Sequence, residues 1–251
     1  MHTQRTGQPE IGVIGAGRFG MLAGRHIARS VPVYIHDPRV SLPRHPRIHK
    51  ASLARAAACE IVVIAVPIGR MERLLHKIRP HLRPGALVID VCSVKWYPVR
   101  WMKVLLPPAV DILGSHPLFG PDSAAQGVQG HTIVLCPVRI SASRLAAVER
   151  RLKTAGVIPR RMDPRAHDRM MAESLLLTQF VGRWVGGARL TPWTNVTEAY
   201  DLLQTIVAVA RHDSLQLLKD MWRFNPHAPL LARRLKRANA RLMRTLTRPE
   251  Y

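Results

Sequence analysis

The stretch IGVIGAGRFG, residues 11–20, joins a short apolar run, Ile11 to Ile14, to Gly15-Ala16-Gly17-Arg18-Phe19-Gly20. The apolar run predicts a β-strand. The glycine spacing predicts a tight turn into a helix, here Phe19 to Arg29. Pro32 breaks that helix, and Val33 to His36 forms the next predicted strand, closed by Asp37-Pro38. A carboxylate ~20 residues beyond the first glycine, at the end of the second strand, is the context in which such a turn holds a dinucleotide. Gly15 permits the turn, Gly17 lets the backbone approach a pyrophosphate, and Gly20 lets helix and strand pack closely. Free N–H groups and the positive dipole end of the helix would hold the phosphates. The expected cofactor contacts are therefore Gly15, Ala16, Gly17, Arg18, Phe19 and Gly20, with Val66 and Pro67 at the end of the next buried strand. Asp37 would accept hydrogen bonds from a ribose and repel a 2′-phosphate, which favours NAD over NADP. Arg39 is a guanidinium that could bind that phosphate instead.

The same alternation continues. Ile61–Val66, Ala86–Val91, Asp111–Gly114, His131–Cys136 and Val157–Arg161 read as strands, and Met71–Arg79, Trp96–Leu106 and 141–155 as helices. A Pro- and His-rich loop fills the space up to about Lys50. Strands apolar on both faces, alternating with helices, imply a mainly parallel sheet covered on both sides. After Met162 the β-type runs stop. Helical segments follow at about 164–189, 195–210, 213–223 and 227–247, punctuated by Pro192, Asn225 and Pro226. The expected fold is α/β: a Rossmann-type doubly wound, mainly parallel sheet over residues 1–162, then an all-helical domain over 163–251. An apolar helical unit of that size often buries its faces against a twin.

The 251 residues carry 38 Lys plus Arg against 16 Asp plus Glu, a net charge of +22. The basic residues are spread along the chain, with one concentration in Arg233, Arg234, Lys236, Arg237, Arg241 and Arg244. No zinc-ligand spacing or aromatic RNA-binding signature accompanies them, so nucleic acid is not the expected partner. A positive field instead favours a small anionic substrate. No apolar stretch is long enough to span a bilayer. Met1–Glu10 is polar, and three scattered cysteines, Cys59, Cys92 and Cys136, suit a reducing cytosol.

Two motifs end predicted strands at the edge where open α/β sheets bind ligands. Asp90-Val91-Cys92-Ser93-Val94-Lys95 brings a hydroxyl and an ammonium. Gly114-Ser115-His116-Pro117-Leu118-Phe119-Gly120-Pro121 brings an imidazole in what reads as a Gly/Pro-rigid loop. With the glycine turn, and with Met162-Asp163-Pro164 before His167-Asp168-Arg169, these motifs resemble the prephenate/arogenate dehydrogenases from about residue 11 to about 227. The form is closest to the plant-like arogenate branch, by residues 116–121 and by Thr178 with Gly182-Arg183.

The resemblance implies oxidative decarboxylation of prephenate or arogenate in tyrosine biosynthesis, with hydride passing to NAD or NADP and no metal. It assigns His116 to the ring hydroxyl, as hydrogen-bond partner and base. It assigns Ser93 to orienting that pair, and the expected substrate contacts are Lys95, Thr178, Gln179, Arg183 and Arg211. It also implies a homodimer through the helical domain. The chain departs from the family in two places. Ser174–Gln179 holds none of the histidines many members carry there, and Gln179 stands where plant-like members have one. The late arginine that grips a substrate carboxylate has no counterpart, Arg211 lying a turn away, so Arg183, Arg211 and His212 are the candidates. The rival readings are a β-hydroxyacid-type dehydrogenase and a non-catalytic nucleotide or nucleic-acid binder. Residues 164–189 lack the lysine the first would use.

Overall fold

The computed structural model describes residues 9–248 except Pro192 and Asn195. The first eight residues and the Pro192 punctuation thus lie outside the described residues. The chain divides into two compact units, Met1–Pro164 and Arg165–Tyr251.

The first unit is one eight-stranded sheet. Its strands are β1 (Ile11–Ile14), β2 (Val33–His36), β3 (Ile48–Lys50), β4 (Ile61–Ile64), β5 (Leu87–Asp90), β6 (Asp111–Pro117), β7 (Thr132–Arg139) and β8 (Ile158–Arg161). Their order is β3-β2-β1-β4-β5-β6-β7-β8. Every pairing is parallel except β6 with β7. The helices of this unit are α1 (Arg18–Ile27), α2 (Leu53–Ala57), α3 (Ile68–Ile78), α4 (Trp96–Leu105) and α5 (Ala142–Thr154). One apolar cluster joins Val13, Val33, Ile35 and Val63 to the α1 side, and another joins Leu87, Leu113 and Leu135 to Leu145 of α5. Ile61 packs against both, so α1 and α5 share a face. The architecture is the Rossmann-type sheet that strand–helix alternation implies.

Two elements were not legible as such. β3 is three residues long with only Ile48 buried, so it shows no alternation. α2 is a single short helix capped by Ser52, whose hydroxyl accepts from Arg55 N. A third difference bears on function. The strand expected to stop at Gly114 runs on to Pro117, so His116 sits in a strand and not in a loop. The reason is β7, which pairs antiparallel with it, His116 opposite Val134 and Pro117 opposite Ile133.

The second unit holds α6 (Pro164–Met171), a π-helical segment Ala172–Leu176, α7 (Leu177–Gly187), α8 (Glu198–His212), α9 (Leu215–Phe224) and α10 (Ala228–Leu246). The single helix expected over 164–189 is therefore interrupted by a π turn. Thr197 and Ser214 cap α8 and α9, their hydroxyls accepting from Tyr200 N and Leu217 N. Met171, Leu176, Val207, Ala210, Met221 and Leu231 are buried. Trp184, Leu190, Trp193, Leu202, Leu242 and Leu246 stay largely exposed. Among the described residues, no helix is long and apolar enough to cross a membrane.

Candidate active site

The glycine turn forms as its spacing requires. Gly15 has φ +104°, and a Cβ there would lie 2.3 Å from the Ala65 carbonyl oxygen. A Cβ on Gly20 would lie 2.0 Å from the Gly15 carbonyl oxygen, so α1 starts against the turn itself. Nothing stands within 4 Å of a Cβ built on Gly17, which precedes α1 and is exposed, as is Arg18. No side chain caps this helix and no acid sits in its first turn. The positive end of α1 thus remains open to an anion. Val66 packs beside Gly15, and exposed Pro67 precedes α3.

Asp37 closes the cradle. Its carboxylate accepts from Ala16 N and from Arg39 N, each at 2.9 Å, while Arg39 Nε stands 4.0 Å away. Burial pushes the carboxyl upward, but the two N–H donors and the Arg39 charge outweigh it and hold it below the ordinary aspartate value. It is an ionised acceptor tied to the turn it faces. The residues present fit a dinucleotide: bare backbone at the helix start, and a charged acceptor where a ribose would lie.

A contact not foreseen from sequence covers this turn. Arg18 pairs with Asp122 at 2.5 Å, and the Phe19 ring lies 6.2 Å from that of Phe119. Phe119 in turn stacks on His131. The segment after His116 is thereby folded onto the glycine turn.

Three strands along, β5 and β6 lie in register, Asp90 opposite Gly114. The loop after β5, carrying Ser93, therefore runs beside the end of β6, carrying His116. His116 is 6% exposed and Ser93 half-buried. Ser93 does not cap α4, whose N-cap position is Lys95 without a side-chain cap. At ~4.8 Å per strand, β6 lies roughly 14 Å from β1, a span that an extended dinucleotide bridges.

Lys95 corrects the sequence reading. It was expected to face a substrate carboxylate, yet Lys95 and Asp90 are both 0% exposed and form an ion pair. Lys95 Nζ also donates to the Ser115 carbonyl at 2.5 Å. Taken out of water, the ammonium requires such partners.

In the helical unit, Gln179 is 0% exposed and donates through Nε2 to Asp213 Oδ2 at 2.6 Å. Arg183 donates to the Asp213 carbonyl at 2.5 Å. Asp213, not singled out in the sequence, is the hub; its one legible signal was its place between two helices. Thr178 is half-buried. Arg211 is exposed and donates to the Gly186 carbonyl at 3.3 Å, apart from the Asp213 group.

A Rossmann-type sheet with an open glycine turn, joined to a helical unit, defines the general class. Residues 47–158 match the family described as "Prephenate dehydrogenase, nucleotide-binding domain". The chain is 29% identical over 239 residues to arogenate dehydrogenase 2, chloroplastic, of Arabidopsis thaliana, covering 87% of this chain and 64% of that protein. The chain thus spans less than two thirds of the length of that curated relative. Among solved structures, it is similar to prephenate dehydrogenase from A. aeolicus in complex with hydroxyphenyl propionate and NAD+ (TM-score 0.73, 16% identity, 97% of this chain and 92% of that one). Synechocystis arogenate dehydrogenase gives a TM-score of 0.66 at 22% identity, over 95% of this chain and 91% of that one. The resemblance drawn from the motifs is borne out: the chain is similar to members of the prephenate/arogenate dehydrogenase family.

Proposed function

We propose that this chain is a nicotinamide-dependent dehydrogenase that oxidatively decarboxylates prephenate or arogenate in tyrosine biosynthesis. The observation that carries the reading is the register of β5 and β6, which sets the Ser93 loop beside His116 on the same sheet edge as the glycine turn. The hydroxyphenyl ligand and NAD+ of the A. aeolicus relative support the substrate class and cofactor. The bound nicotinamide supplies the hydride acceptor. His116 hydrogen-bonds the ring hydroxyl and takes its proton as hydride leaves the same carbon. The ring carboxylate departs as carbon dioxide, its bond electrons complete the aromatic ring, and the proton returns to the ring oxygen. Ser93 orients the hydroxyl toward the imidazole.

Asp37 selects NAD, since an ionised carboxylate accepts from a ribose hydroxyl and repels a phosphate. Glycine-turn residues 15–20, Val66 and Pro67 hold the dinucleotide. Arg183, with Thr178 and Arg211, receives the carboxylates of the substrate; Gln179 acts on them through Asp213. The exposed apolar side chains of the helical unit close against a second copy.

Purified protein with prephenate and with arogenate, each with NAD and NADP, tests this by the absorbance of reduced cofactor. Turnover is expected in at least one pairing, and His116→Asn should lower it by roughly 10²–10⁴-fold with the fold intact. No turnover in any of the four sinks the reading.

A further inference from the structure

The end of β5 and the start of α4 hold two fully buried charges, Asp90 and Lys95, and nothing in the chemistry just described uses them. A buried ion pair is weak evidence for stability, because apolar residues of like volume often replace it without loss. Its retention at this edge points to a geometric task. Asp90 Oδ1 accepts from Cys92 N at 3.0 Å and from Lys95 Nζ. Ser115 Oγ donates to the Asp90 carbonyl at 2.6 Å, and Lys95 Nζ donates to the Ser115 carbonyl at 2.5 Å. That last carbonyl belongs to the peptide bond linking Ser115 to His116.

The β5–β6 ladder ends at Asp90 opposite Gly114. Beyond it, Ser115 and His116 continue in the ladder with β7, opposite Leu135 and Val134. Lys95 supplies the missing partner on the β5 side. Ser93 lies between Asp90 and Lys95, so both ends of its short loop are pinned by the same pair.

We propose that Lys95 is a positioning residue: neutralised by Asp90, it clasps the Ser115 carbonyl and so fixes the loop carrying Ser93 against the strand end carrying His116. The catalytic part of this proposal rests on the reading of Ser93 and His116 given above. Misplacing a reacting group by a fraction of an ångström to an ångström costs turnover more than binding.

The test is Asp90→Asn/Lys95→Met, which removes both charges together and leaves no unpaired ion. The expected result is a folded protein whose cofactor Kd and substrate KM stay within about threefold while kcat falls by roughly 10²-fold. Amide hydrogen exchange in residues 114–118 should quicken at least about tenfold, with β1 and β4 unchanged. Wild-type kcat, or unchanged exchange at 114–118, overturns the clasp. If the unmodified protein turns over no cyclohexadienyl acid, the reading of His116 fails, and exchange at 114–118 alone decides the clasp. Should the first variant not fold, Asp90→Asn/Lys95→Gln, whose amide nitrogen falls one atom short of where Lys95 Nζ reaches, is read the same way.

Discussion

At the amino end of the sheet Glu10 takes two guanidiniums, Arg55 at 2.6 Å and Arg83 at 3.2 Å, and Arg55 also lies 3.7 Å over the Tyr34 ring. At the carboxyl end Asp90 takes Lys95. The first cluster is about one-third exposed and the second not at all. Two cations serve one carboxylate at the amino end, and water can replace either. At the carboxyl end one ion balances one ion, and Asp90 Oδ2 is buried without a hydrogen bond. The same sheet therefore carries a tolerant staple at one end and an exacting clasp at the other. The exacting one lies beside Ser93 and His116, the groups proposed to act in the reaction.

The sharpest way to break this contrast is Lys95→Met alone, which strands a buried carboxylate. A loss of about 3–5 kcal/mol is expected in denaturant unfolding. A loss under about 1 kcal/mol would make the two clusters equivalent. Gly20→Ala comes next: its new methyl meets the Gly15 carbonyl oxygen, at an expected cost of about 1–3 kcal/mol and with weakened NAD binding. Asp37→Asn should cost about 1 kcal/mol, since its carboxylate accepts from Ala16 N and Arg39 N, and weaken NAD roughly tenfold, the worth of one charge-assisted hydrogen bond. It should also narrow the preference over NADP, read by cofactor titration.

The smallest effect belongs to the amino end. The Arg55 hydrogen bond, aided by Arg55 and Arg83 charge and opposed by burial, holds the Glu10 carboxyl below its ordinary value. Its folded value being lowered, Glu10 contributes stability above the ordinary glutamate value and loses it as pH falls through the lowered one. Glu10→Gln should therefore cost ~0.5–1 kcal/mol at pH 7. The gap from the unmodified protein should close in acid, without a change in turnover at neutral pH. A gap that persists unchanged at acid pH would show that Glu10 acts by shape alone.

Much of the fold was legible because its signals are local. IGVIG followed by Gly17 and Gly20 reads as strand, turn and helix from backbone sterics, and unbroken apolar runs such as Ile61–Ile64 read as parallel strands buried on both faces. Elements too short for a period, β3 and α2, were not legible. Of the candidate site, the glycine turn and Asp37 could be named from spacing at strand ends, and Ser93 and His116 from motifs that resemble a known family. Asp213, Asp122 and the role of Lys95 could not, because each partner stands far off in the chain: Gln179, Arg18 and Ser115.

The sequence alone determined the order of the longer strands and helices, the place of the glycine turn and the residue types brought to the sheet's carboxyl edge. Each follows from chemistry within one turn or one strand. Tertiary structure decided that β7 would run antiparallel and draw His116 into a strand, and that Lys95 would be buried on Asp90 and not face outward. The first depends on which distant strand arrives beside His116, the second on the burial that turns Lys95 inward onto Asp90 and the Ser115 carbonyl, and a low-dielectric interior makes such neighbours, not the residue's own preference, set its role.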